Sequence, residues 1–178
     1  WRVKNVRGAI DLARRCRREL KVLGGHRLSF KMGFRLTLTR WASFHGMVDD
    51  RQKKEILAGS RGLVLPVRWH EPFGLALVES LYLGCPVFAT PYGAMPEIVT
   101  PEVGFLSASS DELLQAMRAA ERYSPRRCHE HARDQFGSVR MARDYLARYR
   151  AVLARQPLNA TPPVLRPAPD DFLPWPSP

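Results

Sequence analysis

Glu71-Pro72-Phe73-Gly74-Leu75-Ala76-Leu77-Val78-Glu79 follows the apolar run Leu63-Val64-Leu65-Pro66-Val67 after a gap of Arg68-Trp69-His70. The stretch reads as a strand, a glycine turn and a helix, with a carboxylate at each end of the turn-helix segment. The first amides of a helix have no internal partners, so a helix opening near Gly74 offers bare N–H donors and a positive dipole end to an anion. Phosphate is the natural anion. Two carboxylates beside the same turn cannot also serve a phosphate, since like charges repel, and they suit hydroxyl groups instead. Phosphate and polyol bound at one strand-to-helix junction describes a nucleotide sugar better than a free nucleotide or a nucleic acid.

Outward from this stretch, apolar runs and helical segments alternate. The periodicity predicts helix over 6–20, strand over 21–23 ending at Gly24-Gly25, strand over 41–45 ending at Gly46, and helix over 50–58. It continues with strand 63–67, helix 75–83, strand 86–90, a short strand 104–106, helix 111–123 and helix 138–154. Residues 34–38 read as an edge strand or a loop. This βαβα order with short connections predicts an α/β class, a Rossmann-like parallel sheet flanked by helices. Near-continuous apolar strands such as LVLPV and PVFAT fit a sheet covered on both faces. Residues 1–155 form one domain in this reading. From residue 156 to 178 prolines are too frequent for helix or inner strand, so an extended or disordered tail is expected, with Phe172 and Trp175 as its anchors if it docks.

Ligands of an open parallel sheet bind beyond the carboxyl ends of its strands. Those ends here deliver Gly24-Gly25, Gly46-Met47-Val48, Trp69-His70-Glu71 and Tyr92-Gly93-Ala94. The net charge of +11 is unevenly spread: +10 over residues 1–60, −2 over 61–110 and +3 over 111–178. An excess of that size steers phosphorylated ligands or anionic surfaces, and it is equally what solvated arginine-rich helix faces carry. Arg14-Arg15-Cys16-Arg17-Arg18 makes no clean basic face and reads as a surface helix rather than a nucleic-acid arm. Aromatic-basic interleaving is missing, so nucleic acid is not an expected partner. Peripheral contact with a membrane stays open. Cys16, Cys85 and Cys128 are odd in number and lack a CxxC spacing, which argues against a disulfide framework and against zinc. With no leader read at the start, the expected compartment is the cytoplasm, at or away from a membrane surface.

The ordered motifs resemble those of the family-four retaining glycosyltransferases of GT-B architecture, in their C-terminal, nucleotide-sugar-binding half. They are Lys4-Asn5-Val6, Gly24-Gly25, His45-Gly46-Met47-Val48, Glu71-Pro72-Phe73-Gly74-Leu75 to Glu79 (the Glu-x7-Glu motif), Gly84-Cys85-Pro86-Val87 and Gly93-Ala94-Met95-Pro96-Glu97. The resemblance implies that Glu71 faces the donor sugar as the catalytic carboxylate. It implies that Phe73, Gly74 and Leu75 offer backbone amides to sugar and diphosphate, and that Glu79 binds the ribose hydroxyls. Lys4 matches a lysine on the diphosphate, Lys53 one near the nucleotide, and Val48 a residue beside the base. The reaction so implied is sugar transfer from a nucleoside diphosphate to an acceptor hydroxyl with retention, needing no metal and no cofactor beyond the donor. Asp49-Asp50 and Asp170-Asp171 are adjacent pairs rather than Asp-x-Asp, which agrees.

Three departures shape the expectation. The family's first strand and its phosphate-binding arginine are expected to be missing, because the sequence begins three residues before Lys4. The N-terminal acceptor domain is likewise expected to be absent from this chain, so that transfer by the chain alone is weak or nil. Gly93-Ala94 stands where a pair of glycines is commoner. Two other readings compete: a non-catalytic nucleotide-sugar-binding module that pairs with a separate acceptor chain, and a basic nucleic-acid-binding protein.

Overall fold

The computed structural model describes residues 3–29, 35–159, 161, 162 and 164. Its elements run α1 (Val6–Cys16), β1 (Leu20–Leu23), β2 (Leu28–Ser29), β3 (Arg35–Leu36), β4 (Ala42–Gly46), α2 (Asp50–Ala58) and β5 (Leu63–Leu65). After them come α3 (Leu75–Tyr82), β6 (Val87–Ala89), α4 (Met95–Ile98), β7 (Gly104–Leu106), α5 (Ser110–Arg118), a 3-10 turn Ala120–Arg122, α6 (Pro125–Phe136) and α7 (Ser138–Leu153). The α/β class with parallel strands between helices is as the sequence predicts.

Strand β6 is the centre. It pairs in parallel with β5 on one side and β7 on the other, Phe88 standing opposite Val64 and Phe105. Successive side chains of a strand point to opposite faces, and β6 buries both: Val87 and Ala89 join Leu77, Leu81, Met95, Ile98 and Cys128 under α3, α4 and α6, while Phe88 joins Leu12, Leu113 and Tyr123 under α1 and α5. The Val, Leu, Ile, Met and Phe side chains among these contribute about 1.5–3 kcal/mol each on burial. Gly62 leaves space for the Phe88 ring, since a Cβ there would sit 2.5 Å from it.

A second parallel pair, β1 with β4, is not hydrogen-bonded to this sheet among the described residues. Helix α1 joins the two by laying Leu12 into the Phe88 cluster and leading into β1. The residues before α1 lie against the end of β5, where the Arg68 N–H donates to Val3 O at 2.7 Å. The 34–38 segment contributes Arg35–Leu36, antiparallel to Leu28–Ser29.

Several boundaries differ from the periodicity. Helix α1 stops at Cys16 because Arg17 turns into the left-handed region, φ 54, and the Arg18 N–H closes on Ala13 O at 3.0 Å. Strands 63–67 and 86–90 each shrink to three residues, and the helix expected over 111–123 breaks at Ala119 into the 3-10 turn. Helix α6, capped by Ser124 and started by Pro125, was not separated out by the pattern; it buries only Cys128 and Ala132 on an otherwise charged surface. Phe172 and Trp175 lie outside the described residues. Replacing Phe88 by Ala is expected to destabilise the chain by about 3–5 kcal/mol. Urea unfolding followed by circular dichroism checks this, and a loss under 1 kcal/mol contradicts the central role of β6.

Candidate functional site

Strand β5 runs out at Leu65, and the chain crosses Pro66 to His70 before Glu71. The Glu71 backbone is fixed first. It forms an isolated parallel bridge with Gly93, and the Ala94 N–H donates to Glu71 O at 2.8 Å. The approach is so close that a Cβ on Gly93, which has φ +68, would lie 2.3 Å from Glu71 O. Glycine is required there on both counts. The turns after β5 and β6 thus form one backbone unit.

Gly74, at φ 97, is the N-cap residue of α3 and supplies no side-chain cap. The Leu77 N–H turns back on Gly74 O at 2.9 Å, and the amides of Leu75 and Ala76, at the first two positions of α3, are the ones a helix leaves to an external acceptor or to water. Gly74 is buried, with Phe73 and Leu75 exposed on either side of it, and the Phe73 ring meets Phe136 edge-on at 6.1 Å.

The four charged residues singled out in the sequence come together two by two. Lys4 Nζ donates to Glu71 Oε2 at 2.6 Å, across 67 positions of sequence. Lys53 Nζ donates to Glu79 Oε1 at 3.0 Å, across 26, and also lies 3.1 Å from Asp50. Glu79, then Asp50, hold the Lys53 ammonium above the ordinary lysine range. Lys4 reaches its place because Asn5, in the left-handed region at φ 48, caps α1 by accepting from the Gly8 N–H. Lys53 is set by α2, whose N-terminus carries a capping box of Asp49 and Gln52. Val48 is half-buried in a hollow with His45, Met47, Gln52, Glu55 and Ile56, formed where β4 runs into α2.

Trp69 is the participant that sequence reading missed. Its Nε1–H donates to the same Glu71 Oε2 at 3.1 Å, and its ring lies beneath the Lys4 ammonium, 4.5 Å from the centroid. One side chain therefore orients both members of a pair, by a hydrogen bond on its edge and a cation–π contact on its face. The available signal was an aromatic two residues before a strand-end carboxylate. His129 and His131 tie α6 to the α3 and α4 ends by donating to Tyr82 O at 2.5 Å and Ile98 O at 2.9 Å. Burial raises the Cys85 thiol and pushes Cys128 up to about 11, so both are inert packing groups. Among the described residues no group of three His, Cys, Asp or Glu is placed to hold a metal ion.

Parallel strands, helices on both faces and a charged cluster beyond the carboxyl ends of the strands define an open, doubly wound α/β domain. Residues 3–135 match the family described as Glycosyl transferases group 1, and the chain belongs to that family. Over 90 residues it is 34% identical to a GDP-mannose-dependent alpha-(1-6)-phosphatidylinositol dimannoside mannosyltransferase of Mycobacterium tuberculosis (strain ATCC 25177 / H37Ra). That alignment covers 51% of this chain and 23% of the mannosyltransferase. Among solved structures, it is similar to sucrose-phosphate synthase from Thermosynechococcus elongatus, with TM-score 0.69 and 20% identity, over 88% of this chain and 44% of that one. It is also similar to Anabaena Alr3699/HepE in complex with UDP and glucose, with TM-score 0.65 and 18% identity, over 84% and 45% of the two chains. The chain thus spans less than half the length of these relatives, and the two structural likenesses establish the GT-B fold relationship.

Gly93→Ala is expected to cost about 1–3 kcal/mol in stability through strain at positive φ. It should also push Glu71 from Lys4 and Trp69, seen as a changed indole Nε1–H resonance of Trp69 in a nitrogen-proton NMR spectrum. An unchanged resonance would show that the two turns are not one unit.

Proposed function

We propose that the chain is the donor-binding half of a retaining glycosyltransferase, holding a nucleoside-diphosphate sugar against Glu71. The observation that carries this reading is the double pairing, Lys4 with Glu71 and Lys53 with Glu79. Four residues distant in sequence supply two cations and two carboxylates around an uncapped helix N-terminus. A diphosphate calls for the cations and the open amides, and sugar and ribose hydroxyls call for the carboxylates. On donor binding the pairs exchange partners: Lys4 and Lys53 turn to phosphate, Glu71 to the sugar and Glu79 to the ribose. Phe73, Gly74 and Leu75 present their backbone, and the Val48 hollow takes the base.

The chemistry asked of these residues is modest. The barrier lies in departure of the diphosphate from an oxocarbenium-like carbon, and fixed positive groups aimed at the developing charge lower it. Lys4 and the α3 amides fill that role without a metal. Glu71, held by Trp69 and by the Gly93 bridge, keeps the sugar in one orientation. The acceptor must be held on the opposite side of the sugar, so turnover requires a second domain and the isolated chain transfers slowly or not at all. A doubly wound sheet has strand order 3-2-1-4-5-6. The pair β4-β1 and the three strands β5-β6-β7 fit positions 3-2 and 4-5-6, which leaves position 1, between β1 and β5, without a strand among the described residues.

Calorimetric titration of the chain with UDP, GDP and ADP at moderate salt is expected to show one preferred nucleotide. Glu79→Ala should weaken it about ten-fold, or roughly 1.4 kcal/mol. Lys4→Ala should weaken any of the three through the diphosphate. Equal affinity of the wild type and both variants for every nucleotide, in folded samples, contradicts the assignment.

A further inference from the structure

The two bonds that hold the Glu71 carboxylate end on the same oxygen. Lys4 Nζ donates to Oε2 at 2.6 Å and Trp69 Nε1–H donates to it at 3.1 Å, and among the described residues no hydrogen bond reaches Oε1. The two donors differ in how firmly they are fixed. Lys4 carries its ammonium on a flexible stem, and its side chain is 39% exposed against 13% for Glu71. Trp69 packs against the core that β6 shares with α3, α4 and α6. Its segment is held at both ends by backbone, through the Arg68 N–H to Val3 O at 2.7 Å and the bridge from Glu71 to Gly93. The lysine is free to swing away and the indole is not.

An exchange of partners at this site poses a problem for Glu71. When Lys4 turns to a diphosphate, a carboxylate largely shielded from water loses its counter-charge, which is costly unless a hydrogen bond remains. The indole N–H is that bond. It is neutral, so it fixes the carboxylate without cancelling its charge. We infer that Trp69 is the positioning residue for the donor sugar, an inference that rests on the donor-site reading: it keeps Glu71 Oε2 when Lys4 is drawn to the diphosphate, and so presents Oε1 to a sugar hydroxyl. Trp69 acts here through Glu71 and not by touching the sugar. With Oε2 tied, the carboxylate accepts from the hydroxyl in one orientation. Its undiminished charge lies on the side of the carbon that gains positive character as the diphosphate departs. A nucleoside diphosphate without its sugar makes no use of Oε1, so the bond from Trp69 bears on the sugar more than on the nucleotide.

The test is calorimetric titration of the 178-residue chain, wild type and Trp69→Phe, with UDP against UDP-glucose, GDP against GDP-mannose and ADP against ADP-glucose. Phenylalanine keeps a ring beneath Lys4 and removes the N–H, and thermal unfolding checks that the cores are intact. For the nucleotide that binds, the ratio of nucleotide-sugar to nucleotide affinity is expected to fall about ten-fold in Trp69→Phe. A loss shared equally by both ligands is what a packing role gives, and it overturns the proposal, as does an unchanged ratio. Either result leaves the donor reading standing, whereas a folded wild type that binds no nucleotide removes that reading and the proposal with it. A ligand-free measurement bears on Trp69 alone. Lys4→Met mimics the departed lysine, and the Trp69 indole N–H resonance, identified by its absence in Trp69→Phe, is expected to keep its protection from exchange with water. Loss of that protection means that the indole cannot hold Glu71 by itself, and overturns the proposal.

Discussion

Strand β6 must be apolar on both faces at once, and this constraint organises the molecule. Val87 and Ala89 look toward α3, α4 and α6, and Phe88 looks toward α1 and α5. A three-residue strand with one solvent-facing side would leave one helix layer without a partner. Because both sides are filled, helices far apart in sequence are brought to the same end of the sheet. The placement of Lys4, at the start of α1, follows from Leu12 packing on Phe88 two turns later. The positions of Glu71 and Gly93 follow from β5 and β6 running side by side, since the turns after adjacent parallel strands emerge together.

The elements most legible in the sequence are those with chemical punctuation. Helix α2 starts and stops as predicted because Asp49 and Gln52 cap it reciprocally and Gly59 follows its last residue. The end of α1 was not legible, since an arginine in the left-handed region carries no mark of it in the sequence. Helix α6 was obscured by composition. Its PRRCHEHARDQF presents two small buried residues among charges, too faint a stripe to separate it from a solvated stretch. The separation of the β1–β4 pair from the β5–β6–β7 sheet was not legible, because no strand's own residues report which neighbour is beside it.

At the site, residue types were readable and pairings were not. Two carboxylates and two lysines could be chosen from motif order, yet nothing in spacing says that Lys4 meets Glu71 and Lys53 meets Glu79. Those matches come from tertiary packing. The same limit hid Trp69, whose contribution depends on the cation above its ring and the carboxylate at its edge. Gly93 was visible as a turn glycine, and the reason for it became clear only with Glu71 O so near that a Cβ would overlap it.

The two lysine–carboxylate pairs leave these four side chains with no net charge between them, and this has a bearing on discrimination. A ligand bringing only negative charge draws off the lysines but strands two carboxylates beside it. A ligand bringing only hydroxyls strands two ammonium groups. Either half-match leaves charges without partners, which is costly where Glu71 is largely shielded from water. Only a molecule that presents both kinds of group at the right separation lets every charge change hands without loss. Under the proposed donor role the arrangement would act as an AND gate, with inorganic phosphate or free sugar alone gaining less by entering than a molecule that carries both.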